Sequence, residues 1–533
     1  MKLAKRLLAL AMAIAMSFAV ASCNDDAEQQ TPDTTTVAGQ VDTTDPQEDT
    51  TDGTTVAGQT TTAATVDDGS GLAALPKVSG TTYAAPTDSA KPDASFMSSL
   101  KGYTLKIKHP WNFGGSADAS NKSLQYYKSA SNAVKTKYGA TIEEVGVFTD
   151  YNKNLQAEIK ANKFGYQLYE VQSFNFASYI KGNYMKNLKN AMNIAKVSFT
   201  EQWYDNSTQM AAIGGAQYGW TSFDVEYIIP TGVLYNKKLI KEANLTDPTV
   251  LARKGQWTWD KLEEYALALN SSKADGFRLG AKDGTALYNA LMTTLGTNLV
   301  DVQTGKAPAA NVTTQAGQDA LAKIETWVKN KVITFNSNED WSANKKKFAQ
   351  GKVGMVLGSH DTLQECTTSV MRNNVGMVPF PTKTASKTYK SVQNMQFMSF
   401  VPNFYQDDNE VAKIIFLRDA QLQELFRYRD QIFTALYKTY NLDDAAMSMT
   451  YQIKYGTTDP SGVKYGKYVS AVNMLDPDGS DSDGTPALTK IVNPVLAGSS
   501  ASAQLSSYGS ALQTKYNSFW SSKVFTGNYS FNK

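Results

Sequence analysis

Between Tyr103 and Val171 apolar runs of strand length alternate with stretches of helix length, and this alternation constrains the fold more than any other feature. Tyr103 to His109 alternates as a strand does, and Pro110, Trp111, Asn112 and the Gly114-Gly115 pair turn the chain at its carboxyl end. A helix over 120–138, a strand over Thr141 to Val147, a helix over Tyr151 to Asn162 and a strand over Tyr166 to Val171 follow. Strands joined through helices at this spacing pair in parallel, and in such sheets ligands sit outside the carboxyl ends of the strands. That geometry places Trp111, Asn112, Gln172, Ser173 and Phe174 at a cleft. For Trp111 alone, core packing is the competing reading.

A second organising stretch runs from Gly214 to Leu269. It opens with a Gly-Gly turn and the aromatic pair Tyr218 and Trp220 around Gly219. An extended β-branched and aromatic run from Phe223 to Ile229 follows, punctuated by Pro230. Val233, Leu234 and Tyr235 resume the strand, and Asn236-Lys237-Lys238 opens an amphipathic turn. A helix then starts near Trp259, with Thr258 or Asp260 as its N-cap and Leu262, Tyr265, Ala266 and Leu269 on one face. Further on, helices are expected over Gly284 to Leu295 and Ala316 to Lys331. Another begins at Trp341 and stops at Gly351, ahead of the buried strand Val353 to Gly358. Val375 to Pro379 reads as a strand, and Asn409 to Leu425 as a helix.

The ordered series Gly219-Trp220, Leu234-Tyr235-Asn236-Lys237 and Trp259-Asp260, followed by Phe348-Ala349-Gln350-Gly351-Lys352, resembles extracellular solute-binding proteins of the maltose-binding-protein-like class, which serve ABC importers. Trp220 and Thr221 depart from the apolar-Pro pair usual in that class. The resemblance implies an α/β, two-lobed periplasmic-binding-protein-like fold with a ligand cleft between the lobes and two or three interlobe crossovers. It puts lobe 1 at 77–229 and 400–440, lobe 2 at 230–399, and a helical region at 441–533 that completes the lobes. By the same resemblance the loop Ser359-His360-Asp361 reaches the ligand, and Lys390 to Val401, with Gln393, Asn394 and Gln396, forms the second crossover. It also implies a monomeric receptor that needs no cofactor and delivers its solute to permease subunits.

The first 22 residues read as an address. Lys2, Lys5 and Arg6 precede an apolar run too short to span a membrane comfortably, and Val20-Ala21-Ser22-Cys23 resembles the bacterial lipobox, in which the cysteine receives lipid. Several acyl chains, at about 0.8 kcal/mol per buried CH₂, anchor a protein without a transmembrane helix. From Cys23 to residue 76 the chain is rich in Thr, Asp, Gly and Ala, and TTVAGQ occurs twice. Such a segment cannot offset chain entropy and reads as a disordered tether, with ends roughly 40 Å apart on average. Only Cys23 and Cys366 exist, so a lipidated Cys23 leaves no intramolecular disulfide. Cys366 reads as a small packed residue with no base to activate it.

Three of the 52 basic residues lie in the leader and eleven of the 50 acidic ones in the tether, which leaves 49 against 39. That excess is mild and forms no aromatic-interleaved basic stripe, so nucleic-acid binding has no support. His109 and His360 lie far apart, with no metal-ligand spacing around either, and the acidic run from Asp476 fails the pattern of a calcium loop. No nucleophile elbow, P-loop or dinucleotide fingerprint occurs. Glu143, Glu144, Glu170 and Glu226 leave a glycosidase pair open as one alternative, and an adhesive lipoprotein as another. With 28 Tyr and 8 Trp, several near expected cleft loops, the preferred solute is a sugar or oligosaccharide. Peptides, polyamines and phosphorylated solutes are the alternatives. Candidate contacts are Trp111, Asn112, Ser173, Trp203, Trp220, Glu226, Tyr227, Ser359, His360 and Asn394, with Trp111 and Trp220 as stacking rings.

Overall fold

A computed structural model of the chain describes residues 66–78, 92–110 and 124–520, apart from 148–149, 202, 205, 224–230, 272, 282, 302–308, 340, 359, 368, 393–396, 438–439, 441 and 467–487. The leader, Cys23 and the acidic run at Asp476 lie outside the described residues.

Two sheets organise the fold. Strands β1 (Thr104–His109), β2 (Thr141–Gly146) and β3 (Leu168–Gln172) are parallel, with Thr104 opposite Thr141 and Ile107 opposite Leu168. Helix α1 (Leu124–Tyr138) links the first pair. Helix α2 (Tyr151–Ala161) links the second, burying Tyr151, Leu155 and Ile159 at four-residue spacing. The second sheet holds β4 (Gly232–Asn236), β5 (Asp275–Gly280), β6 (Ile333–Asn336), β7 (Val353–Gly358) and β8 (Val375–Val378), in the order β6-β5-β7-β4-β8. Here β5, β6 and β7 are parallel, whereas β4 runs antiparallel to both β7 and β8. A late strand, β9 (Phe397–Phe400), returns to the first sheet and pairs antiparallel with β3, completing the order β9-β3-β1-β2. The expected two-lobed α/β architecture is therefore present.

Local chemistry explains the elements. Helix α3 (Trp259–Leu269) starts where Thr258 Oγ accepts from the Lys261 N–H at 3.4 Å, and it buries Trp259, Leu262, Tyr265, Ala266 and Leu269. Helix α4 (Gln315–Lys329) buries Leu321, Ile324 and Trp327. Gly351, at φ +73°, ends the helix from Trp341 and releases the chain into β7, which is buried throughout. Helix α5 (Asp408–Phe426) returns to the first lobe and packs against α1 and the helix Lys189–Ala195. Helix α6 (Asp444–Tyr455) packs on β8, and the helix Thr489–Leu496 packs on α4, so both of these C-terminal helices join the second lobe. Residues 66–76, expected in the tether, lie against the second lobe as well, where Leu75 and Val78 contact the core.

The lobes meet through two crossing strands. Trp220 N–H donates to Ser399 O at 3.0 Å, and Ser399 N–H donates back to Trp220 O at 2.8 Å. At the other lobe Thr231 N–H donates to Val392 O at 2.7 Å. Phe397 lies opposite Gln172, the last residue of β3, and Gly232 lies opposite Gly358, the last residue of β7. Both crossings thus enter their sheets at the carboxyl ends of parallel strands, and the carboxyl ends of both sheets border one zone. A glycine stands at each root of the first crossing. A Cβ on Gly219 would lie 2.6 Å from Ser399 O, and one on Gly232 would lie 2.6 Å from Val378 O. Gly219→Ala is therefore expected to force the crossing strands apart and lower the unfolding free energy by about 1–3 kcal/mol, measured by urea denaturation of the two chains side by side.

Candidate ligand-binding cleft

The floor of the first lobe is a buried charge cluster at the carboxyl ends of β1, β2 and β3. His109 Nδ1 lies 2.8 Å from Glu170 and His109 Nε2 lies 3.5 Å from Glu144. Arg418, carried over from α5, reaches Glu144 at 3.3 Å and Glu170 at 3.5 Å, and donates to Gln421 Oε1 at 2.6 Å. Ser399 Oγ donates to the remaining Glu170 oxygen at 3.3 Å, so the second crossing is tied to the cluster by its side chain as well. Each of the four charged side chains is no more than 5% exposed. Burial alone would push the His109 pKa down; Glu170 and Glu144 overcome that and raise it to about 9. Burial pushes Glu170 up, yet His109 and Arg418 outweigh it and hold the carboxyl below its ordinary value. Two carboxylates are balanced by two cations at neutral pH. A glycosidase acid needs a raised pKa, the opposite of what Glu170 shows.

The expected site residues fall into three groups. Ser173 is buried directly after β3, at the cleft edge. Trp203 and Trp220 are 4% and 1% exposed and belong to the first-lobe core. Trp220 stacks on Phe199 with ring centroids 5.0 Å apart, and Trp203 Nε1–H donates to Asp419 at 2.8 Å. At 1% exposure and stacked on Phe199, Trp220 presents no open ring face to a solute. Trp111, Asn112, Glu226, Tyr227, Ser359 and Asn394 lie outside the described residues. His360 opens a short helix, His360–Glu365, directly after β7. Cys366 is buried, and burial together with Glu365 pushes its thiol up to about 12, far from a reactive thiolate.

Sequence reasoning did not single out Asn152, Asn175 or Ser391. Asn175, 5% exposed, follows β3 by three residues, and its Nδ2 is buried without a protein partner among the described residues. Asn152, on α2, donates through Nδ2 to Gln172 at 3.1 Å, while its Oδ1 is buried and unpartnered. Ser391, 1% exposed, precedes the Thr231–Val392 pair, and its Oγ is likewise unpartnered. Buried polar atoms are nearly always hydrogen-bonded, so these three, two beside the end of β3 and one beside the Thr231–Val392 pair, are candidates for polar contact. Asn175 carries a legible signal, an amide just past a strand's carboxyl end; Ser391 carries none.

Two α/β lobes joined at the carboxyl ends of their sheets form a periplasmic-binding-protein-like architecture. The profile of the bacterial extracellular solute-binding protein family matches residues 118–404, and the chain belongs to that family. It is a solute-binding protein of the kind that serves ABC transporters. Solved structures with this fold include the sugar-binding protein MalE from Xanthomonas citri, at 11% identity, covering 78% of this chain and 98% of that one with a TM-score of 0.53. The cyclic alpha-maltosyl-1,6-maltose binding protein from Arthrobacter globiformis shows 14% identity over 78% of this chain and 99% of that one, with a TM-score of 0.52. The bacterial solute receptor AcbH shows 10% identity over 79% and 99%, with a TM-score of 0.50. No curated protein sequence matches the chain. No helix among the described residues is long and apolar enough to cross a membrane.

The charge cluster has a pH signature. His109 is raised above its ordinary 6.5, so its contribution to stability is complete below about pH 6.5 and is lost as pH rises through about 9. Unfolding free energy measured in urea from pH 6 to 10 should fall across that window, and the fall should be missing in His109→Gln, whatever that variant's absolute stability.

Proposed function

We propose that the chain is a lipid-anchored receptor that binds a neutral carbohydrate between its lobes and passes it to the permease of an ABC importer. The observation that carries this reading is the set of unpartnered buried polar atoms of Asn152, Asn175 and Ser391 at the crossing zone, above a first-lobe floor whose charges cancel. Amides and hydroxyls with no net field suit sugar hydroxyls, which both donate and accept, better than they suit a polyamine or a phosphate. The names of the similar solved structures, a sugar-binding MalE, a cyclic maltosyl-maltose binder and a receptor with a stated preference for β-D-galactopyranose, point the same way.

With Trp203 and Trp220 committed to packing, ring stacking falls to Trp111 and Tyr227, with Asn112, Ser173, Glu226, Ser359, His360 and Asn394 as further polar contacts. A solute touching both lobes stabilises the closed form, because only that form makes both sets of contacts. Cys23 carries the lipid, the domain stands outside the cytoplasmic membrane as a monomer, and the importer supplies the ATPase.

A thermal-shift screen of the mature chain against mono- and oligosaccharides, amino acids, peptides and polyamines tests the reading. A sugar at 100 times its dissociation constant stabilises by about 2.7 kcal/mol, and it should be recovered unhydrolysed. Asn175→Ala should then weaken that sugar about tenfold or more in titration calorimetry. Stabilisation only by charged solutes would overturn the carbohydrate assignment.

A further inference from the structure

The first described residues of the chain lie on the second lobe, although the first strand they lead to belongs to the first lobe. Asp67 pairs with Lys254, and its N–H donates to Thr246 Oγ at 2.9 Å. Gly69 seats against Val250, which would stand 3.0 Å from a Cβ at that position. Arg253, 8% exposed, donates through Nη2 to the Ala73 carbonyl and to Ser461 Oγ at 3.2 Å, while its Nε holds the buried Asp459 at 3.2 Å. Ser448, on α6, donates to the Pro76 carbonyl at 2.9 Å. The receiving elements, the helix Pro248–Lys254 and α6, both pack against β8 of the second sheet. At Asp93 the chain caps the helix Ala94–Ser99, whose Phe96 meets Phe416 edge-on at 5.6 Å inside the first-lobe core.

We propose that residues 66–78 are a strap that makes the second lobe the held lobe, so that load arriving along the N-terminal tether enters there and closure swings the first lobe. The load path rests on the lipid-anchor reading; the docking of the strap does not. The exposed pair Lys77–Asp444, with side chains 82% and 73% accessible, contributes little to the hold. The grip comes from buried donors on strap carbonyls, Arg253 on Ala73 and Ser448 on Pro76, and from Leu75 and Val78 against the core. A carbonyl gripped by a buried guanidinium is position-specific in a way that the low-complexity sequence before it is not.

The test uses the full chain with Cys23→Ser, labelled in pairs for single-molecule energy transfer. One label sits at Val66→Cys, and the other at Leu267→Cys on the second lobe or Phe404→Cys beside β9 on the first, all three positions being exposed. A docked strap gives a narrow 66–267 distance distribution that maltotriose or any sugar found in the screen leaves unchanged. The triple variant Thr246→Ala, Lys254→Ala, Ser448→Ala should broaden it at least twofold. Hydrogen exchange at Asp67 and Leu72 in the unmutated strap should be at least tenfold slower than in a free chain, a check that does not depend on the triple variant folding. A wild-type 66–267 distribution as broad as the variant's, or a 66–404 distribution narrower than 66–267, overturns the strap. Metabolic labelling with palmitate separates the two readings: an unlabelled Cys23 overturns the load path, while a narrow 66–267 distribution supports the docking.

Discussion

The structure depends on one buried contact, the carboxylate of Glu170 between Ser399, His109 and Arg418. Two separate sheets share no ladder, so their relation rests on the crossing strands and on the core that runs between them. Ser399 stands at that junction: its main chain pairs with Trp220, and its hydroxyl is fixed to Glu170. Bringing four charges out of water costs several kcal/mol per ion, and removing one partner would leave a buried charge at a penalty of about 3–5 kcal/mol. The cluster therefore specifies more than it stabilises. It sets where β9 enters the first sheet and which way α5 must run to place Arg418.

The same cluster shapes the ligand site. The positive charges of His109 and Arg418 offset Glu144 and Glu170 at neutral pH, so the first-lobe floor carries no net charge into the cleft. Under the proposed carbohydrate reading, such a floor leaves selection to hydrogen-bond geometry and shape. At the two ends of the first crossing, Gly219 and Gly232 each sit where a Cβ would press on a backbone carbonyl, beside the Trp220–Ser399 and Thr231–Val392 pairs.

Much of the fold was legible because its signals are local. The strands at Thr104–His109 and Thr141–Gly146, the cap at Thr258 and the stop at Gly351 each follow from residues within a few positions, and boundaries differ by one or two residues. The candidate site was less legible because its determinants are distant in sequence. Trp203 reads from sequence as a candidate ligand contact, but its partner Asp419 lies 216 residues away. Glu144 looked available as a catalytic carboxylate, but Arg418, 274 residues on, neutralises it. The strap was hidden for another reason: Leu72, Leu75 and Val78 are too few to shift the composition of a Thr- and Asp-rich segment, and their partners, Arg253 and Ser448, are again remote.

Two buried amides near the end of β3 each keep one atom without a partner among the described residues. A buried donor such as Asn175 Nδ2 without a partner costs about 1–3 kcal/mol. That cost is carried by the protein before it meets a solute and is relieved when an oxygen accepts the proton. Asn175 is already held in place, 5% exposed and directly ahead of the helix Phe176–Lys181, so little further ordering is needed when contact is made. Asn152 is oriented by its bond to Gln172, which leaves its oxygen rather than its amide nitrogen unpartnered. Under the proposed carbohydrate reading, one buried donor and one buried acceptor on successive elements would be offered to a hydroxyl pair on a sugar ring.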